Sequence, residues 1–269
     1  MKFKILFRCG IFAVFTYLSV GCELKIQKIN VNEGVSGNHS VAKRMFEQRC
    51  LKSGEKIYKK IENVDGIFLL KLRSEKLNFS DQYALDDPYG SDFTGEGYIE
   101  SFLRGFYENN YRRPDHPIAG TPMHLGYQYV EAIDVKDAKR YRYVGIVEQP
   151  GLTDPAYFKD YRRFVSKRVV SKGPPPRYGV IYEDISTKEE RDYWIAGSSL
   201  KVVDIETNEV LAERVGYMYD PGQGNSSGGR APWMIAASHS CPSFGAQHGS
   251  ASQALQAETF VGKVLKPSI

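Results

Sequence analysis

Four groups of residues in this chain have types and spacings that could do chemistry. Gly224-Asn225-Ser226-Ser227-Gly228 has the form G-x-S-x-G, which exposes a nucleophilic serine when it sits at a strand-to-helix turn. Pro221 and Gly222 separate it from the preceding apolar run, and Pro232 follows soon after. Glu258, the only side-chain carboxylate after Ser226, also lies beyond His239 and His248. A glycine-rich loop is the better reading. His239, Cys241 and His248 could begin a zinc site, but such sites use two closely spaced ligand pairs and no second pair is present. The sequence therefore predicts no metal and no cofactor. The acidic stretch Asp86-Asp87-Pro88-Tyr89-Gly90-Ser91-Asp92 lacks the alternation and terminal glutamate of an EF-hand loop. Asp and Gly are also what tight turns require. Asp87 and Asp92 are kept as candidate ligand-binding residues, and with Glu96 as a possible carboxylate pair, which only distance in space defines.

The fourth group is aromatic. Tyr127, Tyr129, Tyr141 and Tyr143 alternate along two runs expected to pair as strands, which would set all four on one face. Such a face is either cross-strand packing or a platform for a sugar or peptide. Lys139, Arg140 and Arg142 beside it would favour an anionic ligand.

The elements that would position these groups are mostly hairpins. Tyr193–Tyr219 is the clearest: two arms rich in β-branched and aromatic residues around Glu206-Thr207-Asn208-Glu209. Asn208 suits the left-handed position of a short loop. The doublet Val202-Val203 shifts the alternation, which indicates a bulge. The pattern predicts this hairpin at the centre of a sheet. A second hairpin is expected from Lys56–Ile61 and Ile67–Leu72 around Asp65-Gly66, and a third from Tyr127–Ile133 and Tyr141–Val147. Helices are predicted over Val41–Leu51, Tyr98–Tyr107, Asp154–Val170 and Ala254–Leu265. Ser40 would cap the first of these and Asp154 the third. Tyr178–Tyr182 reads as a strand. The expected fold is α+β, a mainly antiparallel sheet of hairpins with three or four packed helices. Gly173-Pro174-Pro175-Pro176 is the best candidate domain boundary, but residues 41–269 are read as one domain because no hairpin is stable alone.

The N-terminus carries the strongest functional signal. Lys2, Lys4 and Arg8 precede an apolar run from Cys9 to Val20 and the small residues Ser19 and Gly21. This is the layout of a secretory signal over residues 1–21, and the run is short for a membrane span. Removing it takes Lys plus Arg from 36 to 33 against 32 Asp plus Glu, so the formal charge falls from +4 to +1. A near-neutral chain excludes a nucleic-acid groove of the usual basic kind. Residues 22–40 are polar and read as a flexible tether.

Leu18-Ser19-Val20-Gly21-Cys22 resembles the lipobox of bacterial lipoproteins, departing from it at Ser19, where a branched aliphatic is usual. The resemblance implies lipid on Cys22. Cleavage also removes Cys9 and leaves Cys22, Cys50 and Cys241. With Cys22 modified, Cys50 and Cys241 are free to pair in an oxidising compartment. The stretches Asp65-Gly66-Ile67-Phe68-Leu69-Leu70-Lys71-Leu72-Arg73, Asp86–Asp92, Tyr193–Leu200 and Cys241-Pro242-Ser243-Phe244 resemble a group of exported proteobacterial proteins with no assigned activity. That resemblance covers most of the mature chain and implies no site. The hairpin from Val202 to Val210 is similar to hairpins in other envelope lipoproteins.

These readings converge on a non-catalytic envelope lipoprotein. It would be a tethered binding or assembly module in the periplasm, anchored through Cys22 to a membrane, with the outer membrane favoured. Its partners would be that membrane and a protein or glycan. The alternatives are a periplasmic hydrolase using Asp86–Asp92 with a histidine such as His124, and an immunity-type protective lipoprotein.

Overall fold

In a computed structural model of the chain, the described residues are 31–84, 94–110, 125–243 and 252–268. Helix α1 (Val31–Cys50) leads to three short strands, β1 (Gly54–Ile57), β2 (Ile61–Val64) and β3 (Gly66–Leu69). Helix α2 (Gly95–Asn110) precedes the hairpin of β4 (Tyr129–Ile133) and β5 (Arg140–Glu148), which is followed by β6 (Arg163–Val170) and β7 (Tyr178–Asp184). The short helix α3 (Lys188–Asp192) opens into β8 (Ile195–Asp204) and β9 (Glu209–Tyr219). Then come α4 (Pro232–Ala236), β10 (Ser240–Cys241), α5 (Ser252–Val264) and β11 (Leu265–Pro267).

Nine of these strands form one sheet in the order β1-β9-β8-β7-β3-β4-β5-β6, with β10 also paired to β9. Strands β2 and β11 form a separate parallel pair. The fold is α+β and the large sheet is mostly antiparallel. At its middle β3 runs parallel to both β4 and β7. Gly173–Pro176 joins β6 to β7 of this same sheet.

One face of the sheet is covered by α2 and α5. Tyr98, Ile99, Phe102 and Leu103 of α2 recur at helical spacing and are buried against Ile67, Leu69, Val130, Ala132, Val180 and Tyr182. Ala257, Phe260, Val261 and Val264 of α5 join the same core, and Trp233 and Ala236 of α4 cover Ala196 and Met218 beside it. Full burial of each large apolar side chain contributes about 1.5–3 kcal/mol. Helix α1 lies on the opposite face, with the ring of Phe46 4.6 Å from that of Tyr219. Its end is fixed twice, by an Arg49–Glu190 ion pair and by a disulfide between Cys50 and Cys241 whose Cα atoms are 5.4 Å apart.

Several elements follow their sequence signals. The β8–β9 hairpin turns with Asn208 at φ 58°, and its register shifts between Val202 and Val203. The β4–β5 hairpin forms around Asp134–Asp137. Helix α3 begins with a capping box: the Thr187 hydroxyl accepts from Glu190 N–H at 3.1 Å, and the Glu190 carboxylate accepts from Thr187 N–H at 2.6 Å.

Others do not. The expected helix over Asp154–Val170 is instead irregular turns over 154–162 and then strand β6. Asp154 makes a local turn, accepting from Ala156 N–H at 2.9 Å, instead of capping a helix. Phe164, Val165, Val169 and Val170 favour extended backbone, and eight cross-strand pairs with β5 outweigh a weak helical period. The second hairpin is absent. Strand β1 pairs with β9, β2 with β11, and β3 with β4 and β7. Ile67–Leu69 is an uninterrupted buried run, which suits a central parallel strand better than a hairpin arm. Helix α1 is already formed at Val31, so 31–40 is not the expected tether, and Leu51, just past its end, is 87% exposed. The β8–β9 hairpin lies toward the β1 end of the sheet, while β3 and β7 hold its middle.

Candidate anion-binding site at the carboxyl ends of the parallel strands

The four tyrosines do not share a face. Val130 pairs with Tyr143 and Ala132 with Tyr141, so Tyr141 and Tyr143 point to the side covered by α2, and Tyr129 points to the other. An odd offset between paired runs flips one set of side chains. Tyr127 precedes β4 and is buried, its hydroxyl donating to Leu265 O at 2.7 Å; burial pushes its phenol far above the ordinary range. Tyr143 is buried as well. The Tyr129 ring lies across Gly66, where a Cβ would overlap it, and the Arg142 guanidinium sits 4.0 Å from its centroid. Arg168 stands 4.4 Å from the centroid of the Tyr141 ring, and the Tyr141 hydroxyl donates to Asp137 at 2.8 Å. Neither Tyr129 nor Tyr141 offers an open platform.

The basic residues beside them are also engaged. Arg140 and Arg142 converge on fully buried Glu131 at 3.0 and 2.8 Å, and the Ser171 hydroxyl donates to the same carboxylate at 2.7 Å. Lys139 lies 3.7 Å from Asp137. Glu131 and Asp137 thus offset part, though not all, of this charge within the fold.

Asp87, Asp92, His124, His248 and Cys22 lie outside the described residues. Cys241 is in the disulfide, and the His239 ring stands edge-on to Tyr219 at 5.6 Å. Among the described residues no group of three His, Cys, Asp or Glu could hold a metal ion. The Gly224–Gly228 loop is organised from Asp220, not around a serine. The fully buried Asp220 carboxylate accepts from Gly222 and Gly224 N–H, each at 2.8 Å, and pairs with Arg230. Burial pushes this carboxyl up, but Arg230 and the two N–H groups outweigh it and hold it below the ordinary aspartate value.

A different cluster lies where sheet topology favours ligands. In sheets with parallel strands, ligands bind outside the carboxyl ends, where connections leave to opposite sides. Here β3 continues through α2 to β4 on one side, while β7 leads through β8 to β9 on the other. Just past β3, Lys71 Nζ lies 4.4 Å from the centroid of the Tyr182 ring. The Arg73 guanidinium is 4.3 Å from the same ring and 5.0 Å from that of Tyr98. The rings of Tyr98 and Tyr182 meet edge-on at 6.3 Å, and the Tyr182 hydroxyl donates to Leu72 O at 2.9 Å. Gly95 N–H at the start of α2 donates to Arg73 O at 3.2 Å, so the β3–α2 connection closes back on this point.

Ion pairs brace the neighbouring strand ends. On β7, Asp184 pairs with Arg191, whose guanidinium is fully buried and 5.1 Å from the ring centroid of Trp233. At the end of β4, Asp134 accepts from Lys136 N–H at 2.9 Å and from Arg168 at 2.5 Å, and these two hold its carboxyl below the usual range. Packed on tyrosine faces, Lys71 and Arg73 are pre-positioned cations. The Lys71 ammonium suits a carboxylate or phosphate. Sequence reasoning passed over both residues, although the signal was present: two basic residues at i and i+2 directly after the apolar run Ile67–Leu70.

No helix of the described residues is long and apolar enough to cross a membrane. Comparison with known proteins finds no matching family model, no matching curated protein and no matching solved structure.

Proposed function

We propose that the protein is a non-catalytic binding module of the bacterial envelope, exported by residues 1–21, tethered in the periplasm by lipid on Cys22, and specific for an anionic ligand. The observation that carries the binding half is Lys71, held on the face of Tyr182 at the carboxyl end of the central parallel strand. A cation at a topological switch point favours a ligand bearing carboxylate or phosphate groups, whether on a protein or on a glycan. The Cys50–Cys241 disulfide supports the compartment, since such bridges persist where thiols are oxidised.

Two measurements test this reading. Labelling with an alkynyl fatty acid should mark the wild type and not Cys22→Ser; equal labelling of both would remove the lipid anchor from the proposal. Inorganic phosphate and citrate should raise the melting temperature of the wild-type chain, and the rise should disappear in Lys71→Ala. An equal rise in that variant, or none in the wild type, would show that this cation does not form the site.

A further inference from the structure

Strand β6 closes one end of the large sheet. All eight of its residues, Arg163 to Val170, pair with β5 in unbroken register, and among the described residues no strand pairs with its outer side. Proteins normally blunt such an edge with proline, a bulge, a short strand or charged side chains. Strand β6 has only the last of these, in Arg163, Lys167 and Arg168, whereas β1 at the opposite end has only four residues. Val169 and Val170 are 61% and 50% exposed. The outer edge of β6 is thus a long, regular row of backbone donors and acceptors flanked by both apolar and cationic side chains.

We propose that β6 pairs antiparallel with β6 of a second copy of this chain, about a twofold axis at Ser166. The charge pattern along the strand selects both this partner and this register. A twofold axis perpendicular to the sheet keeps the α2-covered face on the same side in both copies. Paired residues must then point to the same face, which limits the centre of symmetry to a residue. Centring on Lys167 would oppose two copies of that lysine, and centring on Val165 would oppose Arg163 and Lys167. Centring on Ser166 opposes no like charges: Val165 meets Lys167, Phe164 meets Arg168, and Arg163 meets Val169. Cross-strand pairs of this kind stabilise a sheet, and like charges directly opposite destabilise it. A ring facing a guanidinium adds a cation–π contact. Two of the three cations are already balanced inside each copy. Arg163 pairs with Glu148 at 2.8 Å and Arg168 with Asp134 at 2.5 Å. Lys167, the third, lies opposite an apolar residue. An acidic peptide would find less free charge here than the sequence of β6 suggests, which favours a second copy over a foreign strand.

The test uses the mature chain with Cys22→Ser, which keeps it soluble and removes a stray thiol. Light scattering and sedimentation should give the mass of a dimer at micromolar concentration. Adding Ser166→Cys should yield a disulfide-linked dimer under mild oxidation, because the two positions face each other across the axis. Val169→Lys places like charges opposite Arg163 at two symmetry-related points and should weaken the dimer by about tenfold. Val169→Glu should keep it, which separates charge from damage to the fold. A wild-type chain that stays monomeric overturns the proposal. A dimer that tolerates Val169→Lys and fails to cross-link through position 166 overturns it equally.

Discussion

Replacing Glu258 with Gln should make the protein more stable at neutral pH while leaving it unchanged in acid. Glu258 lies on α5 where that helix packs on α2, near Ser101 and Arg104. Burial raises its carboxyl from 4.5 to about 7, against the opposing pull of the Ser101 hydrogen bond and the Arg104 charge. Below about pH 4.5 the group is protonated in both the folded and the unfolded chain and contributes no difference. As pH rises toward 7 the unfolded chain ionises freely while the folded chain resists, so stability falls and then levels off. At about 1.36 kcal/mol per pKa unit the full loss is roughly 3 kcal/mol. Gln is nearly isosteric with the protonated acid and does not titrate. The difference in unfolding free energy between Glu258→Gln and wild type should therefore be near zero at pH 4.5 and reach about 2–3 kcal/mol at pH 8. Urea unfolding at a series of pH values reads this directly, and comparing the two chains cancels every other titrating group. Equal slopes m would show that compactness is unchanged. A gap that stays constant with pH, or narrows as pH rises, would refute the assignment of the raised carboxyl to Glu258.

Cys50→Ser should lower the melting temperature. The disulfide closes 191 residues, for which chain entropy gives a ceiling of about 5 kcal/mol and ordinary cases about 2–4; a wild-type Cys241 that alkylates without reduction would show that the bond is not formed. Asp220→Ala removes the acceptor for Gly222 and Gly224 and leaves the guanidinium of Arg230 without its carboxylate. It should cost about 3–5 kcal/mol and open the loop after β9 to proteolysis, and an unchanged cleavage pattern would count against Asp220 as its organiser.

The contrast between β8–β9 and β3 shows what one sequence can disclose about its own fold. The β8–β9 hairpin is local: its turn residue, bulge and alternation are carried by residues within a few positions of one another, and all were legible. Strand β3 carries a short apolar run whose partners, β4 and β7, lie about 60 and 110 residues away; no local pattern distinguishes such a run from a hairpin arm. The site suffered in the same way. Tyr129 and Tyr143 looked coplanar because their spacing alternates, yet face assignment depends on a register that only the strand pairing supplies. Lys71 and Arg73 were visible as basic residues, but their placement needed the topology of three strands and the rings of Tyr98 and Tyr182.

With Cys22 expected to carry lipid, the cysteine count paired Cys50 with Cys241, and the fold brings those two together. The α+β class was equally available from the density of turn signals and β-branched runs. Tertiary structure decided what lies between those levels. It turned 163–170 into an edge strand instead of a helix, since pairing with β5 outweighs a marginal helical period. It enclosed Glu131 between Arg140 and Arg142, which offset part of the charge expected to attract a ligand. It also moved the candidate site to the end of β3, because a cation becomes a recognition element only when its neighbours in space hold it in place.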